Sequence, residues 1–282
     1  VLSKAFQFHS QGNISEAAKY YQYCIQQGFA DAKVFSNFGV LLRGLGKLKE
    51  AELYIRKAIE LNPNYAFAHL NLGGILKDLR NLEEAELSVR KAIELNPNSS
   101  VSYSNLGGIL KDLGNFKEAE LSVRKAIELN PNSSDAYSNL GGILKDLGNL
   151  EEAELYIRKA IELNPNSSVS YSNLGRILKD LGNFKEAELY IRKAIEIDPN
   201  SSDAYSNLGG ILKGLGNLKE AELYIRKAIE LNPNYAFAHL YLGGILKDLG
   251  NFKEAELSVR KAIELDPNCA SAYFSLSTLK YS

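Results

Sequence analysis

The sequence predicts an all-α solenoid of antiparallel helix pairs, and two observations carry the prediction. All seven prolines fall on one progression of 34 residues, from Pro63 to Pro267. Between consecutive prolines lie two runs of apolar residues at helical spacing, and no segment alternates as a strand would. A period of this length indicates one supersecondary unit copied along the chain, so each copy buries its apolar face against its neighbours.

The repeats divide the chain into one array with two atypical ends. We number each repeat from 31 residues before its proline, so that the proline is position 32. The complete repeats occupy residues 32–269 and begin at Ala32, Ala66, Ser100, Ser134, Ser168, Ser202 and Ala236. Residues 1–31 are a divergent N-terminal partial repeat. Residues 270–282 are predicted to form a C-terminal capping helix, whose outward residues are Ser271, Ser275, Ser277, Lys280 and Ser282. Because the chain lacks Met and begins part-way through a repeat, we expect a fragment of a larger protein.

The first helix of a repeat is defined by its stop signal. In the repeat from Ser134, the apolar spacing predicts a helix from about Asp135 to Leu147. Gly148 follows and supplies a left-handed helix end. Asn149 is placed to cap the next helix, with Glu152 three residues later as its reciprocal partner.

The second helix is predicted over residues 150–163. The side chains expected to point inward are Ala153, Leu155, Ile157, Ala160, Ile161 and Leu163. On the outer face, Glu154 and Arg158 are spaced to form a favourable i,i+4 ion pair. Asn164 ends the helix, because a residue before proline is driven out of helical conformation.

Charge and cysteine content narrow the classes of partner. The formal net charge is −1, with 33 basic and 34 acidic residues, so neither a nucleic acid nor an acidic membrane surface is favoured. A helical-repeat code for RNA would require a 35-residue period and a basic groove. Cys24 and Cys269 are too few and too distant for a disulfide framework, which is compatible with a cytoplasmic location. No apolar segment reaches membrane-spanning length.

No residue pattern for catalysis is present. The only histidines are His9, His69 and His239, and the latter two occupy position 4, which is otherwise aromatic. We therefore expect these two to pack against the preceding repeat. No Cys/His cluster has metal-ligand spacing and no glycine-rich loop joins a strand to a helix. We expect no cofactor, no metal and no enzymatic activity here; a catalytic domain would lie outside this segment.

One set of positions links the repeats to a known family. It is Tyr137 at position 4, Leu140 at 7, Gly141 at 8, Ala153 at 20, Ala160 at 27 and Pro165 at 32. In these residues the chain resembles the tetratricopeptide repeat family. Only the ends depart, with Cys24 and Phe29 in the first segment and Ser277 in the last. The resemblance implies a right-handed superhelix whose first helices line a concave groove, and it implies peptide binding without catalysis.

Position 6 carries asparagine in six consecutive repeats, although asparagine is a mediocre helix former. The row consists of Asn37, Asn71, Asn105, Asn139, Asn173 and Asn207, and Tyr241 ends it. An amide can donate and accept together, as holding a peptide backbone requires. The row resembles the asparagine ladder in the repeat superhelix of protein O-GlcNAc transferases. The alternative is that recently duplicated repeats simply retain their residues.

Two further rows accompany the asparagines on the face predicted to be exposed. Position 9 is Gly74, Gly108, Gly142, Gly210 and Gly244, and is interrupted by Arg176. The glycines are expected to admit a ligand close to the backbone, or to be relics of duplication. Position 12 is Arg43, Lys77, Lys111, Lys145, Lys179, Lys213 and Lys247, mostly followed by Asp at position 13. Lys77, Lys111, Lys145, Lys179, Lys213 and Arg176 join the asparagines as candidate peptide-binding residues.

Two functions remain open from the sequence. The first is a protein–protein interaction module that binds an extended peptide segment in the concave groove. The alternative is a structural spacer or self-association scaffold without a specific ligand. Variation at positions 2 and 5, such as Phe67, Val101 and Asp135, favours binding because it interrupts the copying. In either case we expect a monomer or weak end-to-end association.

Overall fold

The structure, a computed structural model, describes residues 1–279. Within this range the chain forms seventeen helices joined by short connections, with no strand, which confirms the all-α prediction. Lys280 and Ser282, assigned above to the capping helix, lie outside the described residues. The chain divides into two compact units, Val1–Ile143 and Leu144–Ser282.

The helices alternate between the first and second members of each repeat. Those that begin in the first unit are α1 (Leu2–Ser10), α2 (Ile14–Gln26), α3 (Ala32–Gly44), α4 (Leu48–Leu61), α5 (Ala66–Asp78), α6 (Leu82–Leu95), α7 (Ser100–Asp112), α8 (Phe116–Leu129) and α9 (Ser134–Asp146). Those in the second unit are α10 (Leu150–Leu163), α11 (Ser168–Asp180), α12 (Phe184–Ile197), α13 (Ser202–Gly214), α14 (Leu218–Leu231), α15 (Ala236–Asp248), α16 (Phe252–Leu265) and α17 (Ala270–Leu279).

Packing within each unit follows the chain. In the first unit every helix from α1 to α7 packs against the next, and α5 also contacts α3 and α7. In the second unit α10 to α17 pack in the same consecutive order, and α13 contacts α11 and α15. The first helices of successive repeats therefore form a continuous layer in each unit, as a solenoid requires.

Glycine at position 8 sets the close approach of the two helices in a repeat. A β-carbon at Gly107 would lie only 2.2 Å from Val123 Cγ2, and one at Gly175 only 2.5 Å from Ile191 Cγ1. Both facing side chains are fully buried. A substitution at either glycine would require a buried β-branched side chain to move, which explains why a small residue is needed there.

The turn between paired helices uses a left-handed backbone, as predicted. Gly148 has φ +85°, and its N–H and that of Asn149 bond the carbonyls of Lys145 and Leu144. These bonds satisfy carbonyl groups that the helix end would otherwise leave unpaired. Arg80 replaces the glycine in one repeat and keeps the same conformation, with φ +64°.

The predicted capping box is wrong. Asn149 accepts no bond from the start of α10, and its backbone has φ −85° and ψ 67°. A side-chain cap normally requires an extended backbone at the capping residue. Ser99, with ψ 99°, has that conformation and accepts the N–H of Ser102. In α6 the relationship is reversed, since Asn81 Nδ2 donates to Glu84 Oε2 at 2.8 Å.

Leu155 was predicted to point inward, and this is also wrong. Its side chain is 64% exposed, and the leucine at position 22 is exposed in every complete repeat. Ala153, Ile157 and Ala160 are fully buried as expected. The stripe that packs on the neighbouring helices is therefore narrower than the run of apolar residues, and Leu155 falls beyond its edge.

Variation at position 5 was interpreted as a sign of ligand binding, but the structure places part of this position in the core. Ser36 and Ser206 are buried. Leu240 packs against the cluster of Val259, Ala262 and Ala272. Variation at this position therefore reflects packing between repeats as well as contact with any ligand.

The last described helix, α17, covers α16 but is less polar than predicted. Ala272 is fully buried against Val259 and Ala262, and Leu276 and Leu279 pack around them. Ser271 and Ser277 are exposed as expected. However, Tyr273 and Phe274 are 50% and 72% exposed, so the outer surface of α17 is partly aromatic.

Candidate functional site

The six asparagines lie on α3, α5, α7, α9, α11 and α13, at the surface formed by positions 2, 6, 9, 12 and 13 of the first helices. We call this surface the first-helix face. Asn139 Nδ2 donates to Ser104 Oγ at 3.1 Å, and Asn207 Nδ2 donates to Ser172 Oγ at 3.5 Å. Each serine belongs to the preceding repeat. The amides therefore link neighbouring repeats, and their carbonyl oxygens remain as acceptors for other groups.

The start of the row contains two unsatisfied polar atoms. Asn71 Nδ2 and Ser36 Oγ are buried without a hydrogen-bond partner among the described residues. They stand at the same two positions of successive repeats as the bonded pair Asn139 and Ser104. A buried donor without a partner is costly, so this pair contributes less to stability than the bonded pair does.

The cations at position 12 pair with aspartates one repeat further on. The ion pairs are Arg43–Asp78 at 2.6 Å, Lys77–Asp112 at 3.3 Å, Lys145–Asp180 at 3.4 Å and Lys213–Asp248 at 3.0 Å. The rows of opposite charge therefore neutralise each other through contacts between repeats. These four cations already have a carboxylate partner before any ligand arrives.

The glycines at position 9 make room for these cations. A β-carbon at Gly108 would lie 3.1 Å from Lys77 Nζ, and one at Gly244 would lie 3.0 Å from Lys213 Nζ. The expectation that the glycines admit a ligand to the backbone therefore fails at these positions, because a lysine of the preceding repeat covers them. Gly210 differs: there the only atoms within 4 Å belong to the Tyr241 ring, at 3.8 Å.

A cavity of about 400 Å³ opens on the first-helix face of the second unit, beside this exception. Its walls include Asn173, Arg176, Lys179, Asn207, Tyr235 and Tyr241. The repeat that follows the one containing Lys179 has Gly214, instead of Asp, at position 13. Lys179 consequently has no aspartate partner one repeat on, and the nearest carboxylate oxygen is Asp180 Oδ1 of its own helix at 3.9 Å.

Arg176 makes one end of the cavity positive. Its side chain is exposed, and it forms no ion pair within residues 1–279. With Lys179 one helical turn away, it gives two cations that are at most weakly neutralised. Asn173 lines the same wall. Asp198 and Asp203 also line the cavity, and Asp203 is bonded by Tyr235, so the positive charge is confined to the wall that carries Arg176 and Lys179.

The other end of the cavity is aromatic. Phe237 and Tyr241 are 53% and 39% exposed. Burial, together with hydrogen bonding to the Asp203 carboxylate, raises the pKa of Tyr235 to about 12. The Tyr235 phenol thus stays neutral over the physiological range and satisfies Asp203, which leaves the neighbouring rings as an apolar surface.

The sequence identified one side of this site and missed the other. Arg176, Lys179, Asn173 and Asn207 were candidates, and the structure brings all four to one cavity. Lys77, Lys111, Lys145 and Lys213, with Asn37, Asn71, Asn105 and Asn139, lie outside it. The aromatic side was missed, although Tyr241 already interrupts the asparagine row and Phe237 already departs from the neighbouring aspartate and valine at position 2.

The histidines have local partners. His69 Nε2 lies 2.8 Å from the Pro63 carbonyl oxygen, and His239 Nε2 lies 3.0 Å from that of Pro233. Both therefore contact the end of the preceding repeat, as expected. Within residues 1–279 no three His, Cys, Asp or Glu side chains are grouped to hold a metal ion. None of the described helices combines the length and apolar character that crossing a membrane requires.

Three solved structures share this architecture. A chain of the APC/C hetero-tetramer Cut9–Hcn1 has a TM-score of 0.80 at 16% identity, over 94% of this chain and 52% of that one. The present chain thus spans about half the length of that relative. A tetratricopeptide repeat protein from Parabacteroides merdae has a TM-score of 0.70 at 21% identity, over 88% and 98% of the two chains. YrrB, described as a tetratricopeptide repeat protein with an unusual peptide-binding site, has a TM-score of 0.50 at 26% identity, over 67% and 97%.

Family models cover nearly all complete repeats. Models of the tetratricopeptide repeat match residues 37–100, 101–133, 132–200, 202–235 and 236–269. None of the curated proteins matches the chain. Consecutive matches to one type of repeat, together with the helix-pair architecture, show that the chain belongs to the tetratricopeptide repeat family.

Proposed function

We propose that this chain is a protein–protein interaction module that binds an extended peptide segment along the first-helix face. The observation that carries the proposal is the cavity lined by Arg176 and Lys179, where the ion pairs between repeats are interrupted. Arg43, Lys77, Lys145 and Lys213 on the same face each have a carboxylate partner one repeat further on. A binding site that must attract a charged ligand requires such an unneutralised position.

The chemistry of the cavity defines the segment. A glutamate or aspartate side chain would accept hydrogen bonds from Arg176 and Lys179. An apolar side chain nearby would cover Phe237 and Tyr241. Between these anchors, the amides of Asn173 and Asn207 would bind the peptide backbone, as the resemblance to the asparagine ladder of protein O-GlcNAc transferases implies. First helices pack about 10 Å apart, so a bound chain would meet one asparagine roughly every three residues.

The other expectations fit this role. YrrB, with its peptide-binding site, supports peptide recognition by this fold. The balanced charge supports a protein rather than a nucleic-acid partner. Cys24 and Cys269 are both free, which supports a reducing compartment such as the cytoplasm. We expect a monomer with at most weak end-to-end association.

The test is selection from a random peptide library, followed by binding measurements with the selected peptide. The triple variant Asn105→Ala, Asn139→Ala and Asn173→Ala should weaken binding. Its melting temperature should change little, because the better helix propensity of Ala, roughly 0.5 kcal/mol per site, offsets the lost hydrogen bond between Asn139 and Ser104. Arg176→Gly, which restores the residue found in most repeats, should abolish selection of acidic residues.

A matched control uses the same repeats and another surface. Leu121, Leu155 and Leu189 are 69%, 64% and 65% exposed on the second helices. Their triple replacement by Ala should leave peptide binding intact. If only the leucine variant loses binding, recognition occurs on the second helices. If no peptide is selected, or if the asparagine variant binds undiminished, the spacer or scaffold hypothesis is favoured.

A further inference from the structure

A second kind of site lies on the other side of the repeats, where the second helices pack. In two repeats of the second unit this region is filled by a tyrosine at position 23. Tyr190 stacks on Tyr171 with ring centroids 6.1 Å apart, and Tyr224 stacks on Tyr205 at the same distance. Each tyrosine therefore lies against the position-4 ring of its own repeat.

An arginine of the preceding repeat completes the tyrosine site. Arg158 Nη1 donates to the Tyr190 hydroxyl at 2.8 Å, and its guanidinium carbon lies 5.4 Å from the ring centroid. Arg192 and Tyr224 repeat this arrangement, with a bond of 2.8 Å. The phenol is thus held by a ring on one side and by a charged donor at its hydroxyl.

Three repeats carry serine instead of this tyrosine. The one with Ser122 keeps a tyrosine, Tyr103, at position 4, and the other two have histidine there. In these two repeats position 23 is Ser88 and Ser258, and position 4 is His69 and His239. A cleft of about 450 Å³ replaces the ring in the first unit, and one of about 500 Å³ replaces it in the second. The first is lined by Arg56, Ile59, His69, Leu72, Leu87 and Ser88. The second is lined by Arg226, Ile229, His239, Leu242, Leu257 and Ser258. We call these the two phenol clefts.

The arginine in each phenol cleft keeps the donor that would bind a hydroxyl group. Arg56 uses Nε and Nη2 for Glu52 and Nη2 for Glu84. These are the same contacts that Arg158 makes with Glu154 and Glu186. The Nη1 group, which binds Tyr190 in the filled repeat, has no acceptor for Arg56 among the described residues. The frame is therefore preorganised for a ligand that brings its own oxygen.

We infer that the two phenol clefts bind tyrosine side chains of a partner protein, each in the place that Tyr190 and Tyr224 occupy in their own repeats. The histidine ring would form the stacking surface, and its contact with the proline carbonyl fixes its orientation. The carboxylates of Glu60 and Glu84 line the first cleft beside Arg56. Lys91 also lines this cleft, but it pairs with Glu94 at 2.7 Å. The two carboxylates therefore favour a neutral phenol over its phosphate ester, which would bring two further negative charges.

The histidines supply the readout. The chain has three, and His9 lies in neither cleft. The probe is N-acetyl-tyrosinamide, added to the full chain while the imidazole signals are followed by NMR. The signals of His69 and His239 should shift saturably, and that of His9 should not. N-acetyl-phenylalaninamide, which lacks the hydroxyl, should bind about tenfold more weakly, as loss of one hydrogen bond to a charged donor predicts. N-acetyl-phosphotyrosinamide should also bind more weakly.

Two variants separate the phenol clefts from non-specific binding. Ser88→Tyr with Ser258→Tyr places the chain's own phenol in each cleft and should abolish the shifts without unfolding the protein, since other repeats already carry Tyr there. Tyr190→Ser should create a further cleft and add one bound probe to the number that the wild type binds. Arg176→Gly, which removes the cation of the proposed groove, should leave the histidine shifts unchanged. The test of the phenol clefts is therefore independent of whether the groove binds a peptide. Absence of saturable shifts, shifts that survive in the double tyrosine variant, or tighter binding of the phosphorylated probe would overturn the inference.

Discussion

Lys213 reaches one repeat forward to Asp248, with its Nζ 3.0 Å from Asp248 Oδ2. It crosses above Gly244, where a β-carbon would lie 3.0 Å from the same Nζ. The glycine therefore gives the lysine room to reach its aspartate. Lys179 of the same unit lacks this arrangement, because Gly214 stands where its aspartate would be.

This difference predicts opposite outcomes for two lysine substitutions. Lys213→Ala should lower the free energy of unfolding by less than about 1 kcal/mol, as expected for a partly exposed ion pair. It should also leave the affinity for a selected peptide unchanged. Lys179→Ala should change the free energy of unfolding as little, but it should lower the affinity for the peptide about tenfold, because a charged hydrogen bond is lost. Calorimetric titration and a denaturant melt of both variants check this. Equal affinities would remove Lys179 from the proposed site.

Arg80 is the one residue other than glycine with positive φ among residues 1–279. The left-handed conformation costs an L-residue about 1 kcal/mol, so Arg80→Gly should stabilise the protein by a similar amount. The corresponding β-carbon position at Gly114 touches nothing within 4 Å, so the cost lies in the backbone alone. Gly114→Arg is the reverse control and should destabilise by as much. Urea melts measure both changes, and an unchanged midpoint for Arg80→Gly would show that the turn tolerates arginine without strain.

The sequence predicted best where the helices begin and end, although the side-chain cap by Asn149, which is equally local, was predicted wrongly. The ends of α10 at Leu150 and Leu163 and the conformation of Gly148 depend on residues within one turn of each other, so a single repeat suffices to derive them. The prediction that Leu155 points inward was wrong, because a helical wheel does not show how wide a stripe the neighbouring helices cover. The cavity beside Arg176 was not predicted from the sequence, for a different reason. Its aromatic wall comes from residues about two repeats further along, and only the packing of first helices brings them together.

The described part of α17 protects an apolar surface of α16. Deleting residues 270–282 would expose Val259 and Ala262, which are fully buried. Exposing one large apolar side chain costs about 1.5–3 kcal/mol, so the final repeats should melt earlier and the protein should associate. Light scattering with a thermal melt checks this. Phe274→Ser is the matched control: it removes an aromatic ring that is 72% exposed and should improve solubility without changing the melt. A truncated protein that is monomeric and equally stable would contradict the capping role.

Tyr235 should make stability fall in a defined alkaline range. Its pKa is raised in the folded protein from 10.0 to about 12, first by burial and then by the Asp203 carboxylate. The folded state therefore holds the phenolic proton more tightly than the unfolded state. The stability that this proton contributes is fully present below pH 10, where both states are protonated. It is lost as the pH rises towards about 12.

Tyr235→Phe removes this titration while keeping the ring. Denaturant melts of the wild type and the variant, measured at intervals above neutral pH, should show a stability difference that is constant below pH 10 and shrinks above it. Tyr156, a tyrosine on the second helices, provides the control through Tyr156→Phe, because the two substitutions remove the same hydroxyl group from different surroundings. If the pH profile of Tyr235→Phe parallels that of the wild type across the whole range, the bond between Tyr235 and Asp203 does not stabilise the aromatic wall of the cavity.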